Sequence, residues 1–398
     1  MWAQQVQARA PLADVAVIAT QDADHVEPAV ALARQGYHLL LEKPMATSEA
    51  DCERIVDAAE EAGVLLAVCH VLRYTPYSRR LKALVDGGRI GDVVSVEHLE
   101  PVGWWHQAHS YVRGNWRRED TSTFMLMAKS CHDLDWLTHL IGRPVERVSS
   151  FGGLYEFRAE RRPVGAADRC LDCAVEASCP YSAPRIYLPL LEEPDRVWPL
   201  SVVTAERSEE GVLAALREGP YGRCVYACDN DVVDHQVVSL EYRGGVTASF
   251  TMTAFTPSDF RRTRVFGTRG SIEGDGRSIT VHDFVDGGSE VIEVESGAGA
   301  TADDGHGGEC GQWEWFSRVT RRGSSRGDVR HGFGGALLSS VACRANWGNR
   351  SRTATTAMTA MAAMTPWSLP RAVASVAGGA SRPGQGRSGG VRVRRLPR

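Results

Sequence analysis

Lysine is scarce in this chain: Lys43, Lys82 and Lys129 are the only three, while arginine is abundant. Arginine keeps its proton at any ordinary pH, whereas a lysine gives it up when its surroundings disfavour the charge. Lys43 has a setting in which that property would matter. It follows Gly36-Tyr37-His38-Leu39-Leu40-Leu41-Glu42 and precedes Pro44. A short apolar run closed by an acid, a base and a proline reads as a buried parallel strand with ionisable groups at its carboxyl end. Ligands of open α/β sheets sit at that end, so Glu42 and Lys43 point to a site. The alternative is a surface lysine that only closes a strand.

Two further stretches carry chemistry. The polar-aromatic segment from Gly103 to Trp116 interleaves Trp104, Trp105, Tyr111 and Trp116 with His106, His109 and Arg113. Rings that meet C–H faces and donors that meet hydroxyls suit a hydroxylated ligand. The same segment also reads as a surface lid with no ligand contact. The other stretch is Cys170-x2-Cys173-x5-Cys179, followed by Cys224-x3-Cys228. Thiolates at this spacing could chelate one structural zinc, with Cys224 or Cys228 as fourth ligand. The competing reading is a set of buried free thiols packing a short insert; an iron–sulfur cluster suits the spacing less well. Asp229, Asp231, Asp234 and His235 could reach a ligand hydroxyl or form a solvated strand entry.

The elements that must position these groups follow from the apolar pattern. Strands are expected at Asp14–Thr20, at the Glu42 run and at Val64–Cys69. Helices are expected from His25 to Gln35, from Glu49 to Ala62 and from Pro76 to Val85. Ser48 caps the second of these and Gly63 stops it. Alternating strands and helices make a parallel sheet with helices on its faces. Past Val93 the pattern changes to alternating strands: Val93–Leu99, Val145–Gly152, Val237–Tyr242, Val246–Met252, Thr263–Gly267 and Ser278–Val285. Arg243-Gly244-Gly245 marks a hairpin, and one helix runs from near Lys129 to Ile141. The expected fold is therefore α/β: a partial Rossmann-type parallel sheet, then an α+β domain with a large, mostly antiparallel open sheet. Domain limits of 1–90 and 91–308 follow. Residues 309–398 are low in complexity, contain no lysine or isoleucine, and read as a disordered extension or an out-of-frame translation of a GC-rich gene.

Composition bounds the function. A formal net charge of -4 and a charged fraction of 24% give no footing for nucleic acid or anionic membranes. No run of about 18 apolar residues is present to span a membrane. Ten cysteines in so long a chain fit reduced thiols or a metal in the cytoplasm better than a disulfide scaffold.

Glu42-Lys43-Pro44, taken with Ala19-Thr20 and His25, resembles the glucose-fructose oxidoreductase / inositol dehydrogenase / MocA (Gfo/Idh/MocA) family. His70-Val71-Leu72-Arg73-Tyr74-Thr75-Pro76 and Lys129-Ser130-Cys131-His132-Asp133-Leu134-Asp135 extend the match, in order, over about residues 12–308. The resemblance implies an NAD- or NADP-dependent enzyme moving a hydride to or from a sugar, inositol or related polyol. It implies a homo-oligomer joined through the second-domain sheet. It makes Lys43 and His132 the catalytic pair, with a cis Lys43–Pro44 bond beside the nicotinamide. Thr20, His25, Glu42, Lys43, Pro44 and Arg73 fall on the cofactor side; His106, His109, Arg113, Trp116, Lys129 and Asp133 fall on the substrate side. Two departures stand out. The usual aspartate four residues before the histidine is Ala128, with Lys129 next to it. No G-x-G-x-x-G precedes Val15, so the sequence is expected to lack about two βα units, roughly 60 residues, at its start. A non-catalytic sugar-binding or assembly protein on the same scaffold is the competing expectation.

Overall fold

The computed structural model describes residues 13–257 and 260–294. The expectations for residues 309–398 lie outside the described residues. Three parallel strands, β1 (Val15–Ile18), β2 (His38–Leu41) and β3 (Leu66–Val68), form the first sheet in the order β1-β2-β3. Leu39 and Leu41 enter one core with Val26, Ala29, Ala33, Ile55 and Ala59 from the helices Val26–Arg34 and Glu49–Ala62. Leu40 enters another, with Leu65, Ala67 and Val71. Both faces of β2 are thus covered, which is why its sequence is a continuous apolar run rather than an alternation. Ser48 Oγ accepts from the Asp51 amide at 3.2 Å, closing the second helix's N-terminus. Gly63, at φ +66°, ends that helix in the left-handed conformation.

The second sheet has eight strands in the order β11-β10-β9-β8-β4-β7-β6-β5. Six of them fall at expected positions: β4 (Val93–Pro101), β5 (Val145–Gly153), β6 (His235–Tyr242), β7 (Thr247–Thr253), β8 (Arg262–Gly267) and β10 (Ser278–Asp283). Neighbours are antiparallel except β4 and β7, which run parallel. Along β6, Gln236, Val238, Leu240 and Tyr242 face inward and Val237 and Ser239 outward, the alternation of a one-sided sheet. The inward side packs on Leu134, Trp136 and Leu137 of the helix Cys131–Ile141 and on Leu81 of the helix Pro76–Asp86. The β6–β7 hairpin turns on Gly244 and Gly245, at φ +84° and +82°, where a side chain would be strained.

Some parts differ from expectation. Residues 103–116 do not form a loop: Trp104–His106 is a short helix and Gln107–Arg113 a π-helical turn buried throughout. Strands β9 (Gly270–Gly274) and β11 (Ser289–Glu293) carry too much glycine or too many polar residues to stand out. Between β5 and β6, a set of short helices builds a further core around Phe157, Tyr181, Tyr187, Leu216 and Tyr221. Among the described residues, no helix is long and apolar enough to cross a membrane.

Candidate active site

The site begins where β1 and β2 end. The Glu42 amide donates to Ile18 O at 2.9 Å, carrying the pairing one residue past β2. The Lys43–Pro44 peptide is cis. His25, wholly buried, sets its Nδ1 2.9 Å from Pro44 O and its Nε2 3.2 Å from Thr20 O. One imidazole therefore ties the ends of both strands together. The Lys43 amide turns back to Glu42 Oε2 at 3.2 Å, and Lys43 Nζ donates to Ala128 O at 3.3 Å.

That last contact brings in the second half of the molecule. Ala128 ends a short helix, Met125–Ala128, and Lys129 caps it. Lys129 is buried, with its Nζ 3.5 Å from Glu100 Oε1 at the end of β4. Glu100 Oε2 lies 2.8 Å from Arg261 Nη2. Arg261 Nε also donates to Asp133 Oδ1, which His98 Nε2 approaches at 3.1 Å; His98 Nδ1 meets Thr263 Oγ1 at 2.8 Å. His132 begins the helix Cys131–Ile141 and meets His70 edge-on, ring centroids 5.6 Å apart. His70 directly follows β3 by two residues, so the ends of all three parallel strands converge here.

The charges are strongly coupled to burial. Desolvation alone would raise the Asp133 carboxyl; the Arg261 guanidinium and His98 outweigh it and hold it well below the usual range. Burial pushes Lys129 below its ordinary value, Glu100 opposes that, and the cations Arg261 and Lys43 add to it. Burial raises the Cys131 thiol to about 12, keeping it neutral. Arg73 is engaged two-fold by Asp135, at 2.6 and 2.5 Å, in a buried fork that fixes the segment after β3 to the helix Cys131–Ile141.

Contacts thus link Thr20, His25, Glu42, Lys43 and Pro44 to one another and to Ala128, beside which Lys129 is buried, while His132 meets His70 just past β3; Arg261 holds Asp133 and Asp135 holds Arg73. Other expected site residues face elsewhere. Arg113 is fully buried in the insert's core, donating from Nε to Arg223 O at 2.8 Å and from Nη2 to Tyr181 O at 2.7 Å. His109 stacks on Tyr221 and bonds Tyr187 Oη at 2.8 Å; burial, then the Arg113 charge, depress it to about 3. Trp116 Nε1 donates to Asp22 Oδ2 at 2.8 Å, joining the second half to the loop after β1. His106 sits in an aromatic group with Trp105, Tyr111 and Trp198. Asp234 is buried and accepts from the Tyr155 and Glu156 amides at 2.9 and 2.7 Å, while Asp229 pairs with Arg117 and Arg223. These acids anchor the insert.

The expected zinc finds no support. Cys170, Cys173, Cys179 and Cys224 do line one small cavity. Among the described residues, however, no three His, Cys, Asp or Glu side chains are disposed to hold a metal ion. Arg113 Nη2 already faces Cys170 Sγ at 3.5 Å, and burial raises the Cys179 and Cys224 thiols. A cation in that position and neutral thiols fit packing better than chelation.

Glu100, His98 and Arg261 were not singled out from sequence, although a signal exists. Val96, His98 and Glu100 share one face of β4, and Val96 must face the core. Two polar residues on an inward face require buried partners.

Known proteins agree with this architecture. Residues 4–70 match the model described as oxidoreductase family, NAD-binding Rossmann fold. Residues 82–307 match the oxidoreductase family C-terminal alpha/beta domain. The YteT protein of Bacillus subtilis (strain 168) is 27% identical over 272 residues, which cover 65% of this chain and 60% of YteT. The 2,7-anhydro-N-acetylneuraminate hydratase of Escherichia coli (strain K12) is 30% identical over 142 residues, 36% of this chain and 37% of the hydratase. This chain therefore spans less than two thirds of either relative. Levoglucosan dehydrogenase in complex with NADH and L-sorbose has the same fold, with TM-score 0.60 at 18% identity over 87% of this chain and 80% of that one. With more than half its length matched by the second-domain model alone, this chain belongs to the Gfo/Idh/MocA oxidoreductase family.

Proposed function

We propose that this chain is an NAD(P)-dependent oxidoreductase that moves a hydride between a nicotinamide cofactor and a sugar, inositol or related polyol. The observation that carries the reading is the meeting of Lys43, at the end of a parallel strand, with the Ala128–His132 segment of the other domain. This contact ties the strand end that carries Lys43 to the segment that leads into His132.

The residues present fit the nicotinamide end of a dinucleotide. Thr20, His25, Glu42 and Pro44 form a fixed floor at the carboxyl ends of β1 and β2, where such rings lie. Backbone donors for the pyrophosphate are not among the described residues. When bound, the cofactor accepts or supplies the hydride. The chain's own task is the proton: Lys43 contacts the substrate hydroxyl, His132 exchanges the proton, and Arg73 holds the loop that carries His70. Lys129 borders the substrate side. A polyol is supported by the fold shared with levoglucosan dehydrogenase, whose complex contains NADH and L-sorbose.

One observation favours a second reading. The position four before His132 is Ala128, which offers only its carbonyl, and Lys43 takes it. A non-catalytic sugar-binding or assembly protein would tolerate that. Calorimetric titration of the full chain with NADH and NADPH, followed by a sugar and polyol panel, separates the two. Micromolar binding of one dinucleotide supports the enzyme; polyol binding with no dinucleotide affinity supports the second reading.

A further inference from the structure

The cysteines of the insert between β5 and β6 have no part in the proposed reaction. Cys170–Asp172 forms a single 3₁₀ turn, and the Cys173 amide donates back to Cys170 O at 3.3 Å. Such a turn repeats every three residues, so residues three apart stand on the same side of it with Cα atoms about 6 Å apart. That lies within the roughly 4.4–6.8 Å that a disulfide spans. Both thiols are free, and both line one cavity of about 20 Å³. We propose that Cys170 and Cys173 are a redox-active pair that closes to a disulfide by exchange with a low-molecular-weight disulfide. The pair needs neither dinucleotide nor polyol and is independent of the function proposed above.

The two thiols differ in the ways that exchange requires. Cys173 is partly exposed and Cys170 is buried, so an entering disulfide meets Cys173 first. Cys170 Sγ faces Arg113 Nη2 at 3.5 Å. Among the described residues, that guanidinium donates to the Arg223 and Tyr181 carbonyls and to no carboxylate, although it is only 1% exposed. A buried cation with carbonyl partners favours an anion beside it, and thiolate is the form of cysteine that attacks sulfur. The other acids near the cavity are engaged or turned away. Glu176 accepts from the Ser182 hydroxyl, Asp168 pairs with Arg162 at 2.8 Å, and Asp172 is exposed. Burial keeps the Tyr181, Tyr187 and Tyr226 hydroxyls protonated. It also raises the Cys179 and Cys224 thiols, which leaves them as bystanders.

The exchange balances. The Cys173 thiolate, its proton released to water, attacks one sulfur of the small disulfide. A mixed disulfide forms, the old S–S bond breaks, and one small thiolate leaves. Cys170 gives its proton to that thiolate and attacks the Cys173 sulfur. The Cys170–Cys173 bond forms, and the second small thiolate leaves and takes a proton from water. Two electrons have passed from the pair to the small disulfide, which ends as two thiols; excess small thiol reverses each step.

Equilibrating the intact chain in mixtures of reduced and oxidised glutathione tests this, with free thiols trapped by iodoacetamide and each cysteine assigned by peptide fragmentation in a mass spectrometer. A Cys170–Cys173 disulfide is expected. It should be half formed at a ratio of oxidised to reduced glutathione about tenfold or more below the ratio that oxidises Cys179, Cys224 or Cys228. Cys170→Ser should stop the reaction at a mixed disulfide of Cys173 with glutathione. Cys173→Ser should leave Cys170 reduced, and Cys179→Ser should leave the midpoint of the pair unchanged. Three results overturn the proposal: both thiols still alkylated in excess oxidised glutathione, either one paired instead with Cys179 or Cys224, or thiols that react only after a chelator has removed one metal ion per chain.

Discussion

At the residue scale, the behaviour of this protein is set by ionisable groups withdrawn from water. His109 is the clearest case. Its imidazole is wedged between Tyr221, Tyr187 and Trp198, and the Arg113 cation lies nearby. Its folded value, about 3, lies below the ordinary 6.5. Between those values the unfolded chain binds a proton that the folded chain refuses, so stability rises with pH through that window. The contribution is fully present above about pH 6.5 and is lost as pH falls toward 3. Thermal unfolding at steps from pH 7 to 4 should show a falling midpoint, with a shallower fall in His109→Phe. Equal slopes would show that His109 is not the group responsible. Asp133 acts later: its depressed carboxyl contributes stability above the unfolded carboxylate range and loses it only as pH falls below that range. Lys43 and His132 stand out in the sequence through their neighbours; the partners of Arg113 do not. A guanidinium among aromatic residues reads as a ligand donor until the insert folds over it, and the insert's helices are too short for a clear period.

At the element scale, local rules were legible wherever one principle dominated. The β2 run declared itself because both faces are covered. The helix Glu49–Ala62 declared itself because Ser48 and Gly63 close its ends in the expected ways. Ser48→Ala should lower stability by about 1 kcal/mol, the value of a single N-cap. Urea unfolding checks it, and an unchanged midpoint would mean that the Ser48–Asp51 contact contributes nothing. Residues 103–116 differ from the expected surface lid because burial against a distant insert, not local propensity, holds Trp104–His106 and Gln107–Arg113 helical. Strands β9 and β11 exist because β8 and β10 supply templates to pair with. Long-range pairing of that kind leaves little trace in the paired segment itself.

At the scale of the whole molecule, the two sheets are joined where Lys43 meets Ala128, where Met127 enters the first sheet's core and where Trp116 meets Asp22. Among the described residues, nothing covers the outer face of the large sheet at β5 and β6. Phe151 and Val237, register partners across β5 and β6, are 54% and 42% exposed, and Phe266 on β8 is exposed as well. We propose that a second copy of the chain covers this face, since exposed apolar strips of this kind mark association surfaces. Sedimentation of the wild-type chain should give an oligomer, and Val237→Glu with Phe151→Glu should give a folded monomer. A monomeric wild-type chain at micromolar concentration would refute the proposal.

At the joint of the two domains, Lys43 is proposed to serve hydride transfer to or from a polyol. Its most direct test is the absorbance at 340 nm when the full chain meets NAD or NADP and a sugar and polyol panel that includes levoglucosan and inositols. The predicted result is reduced cofactor formed with at least one substrate, at a rate about 10²–10⁴-fold lower in Lys43→Met. Equal rates in the two proteins, or dinucleotide bound with no reduction by any polyol, would contradict it.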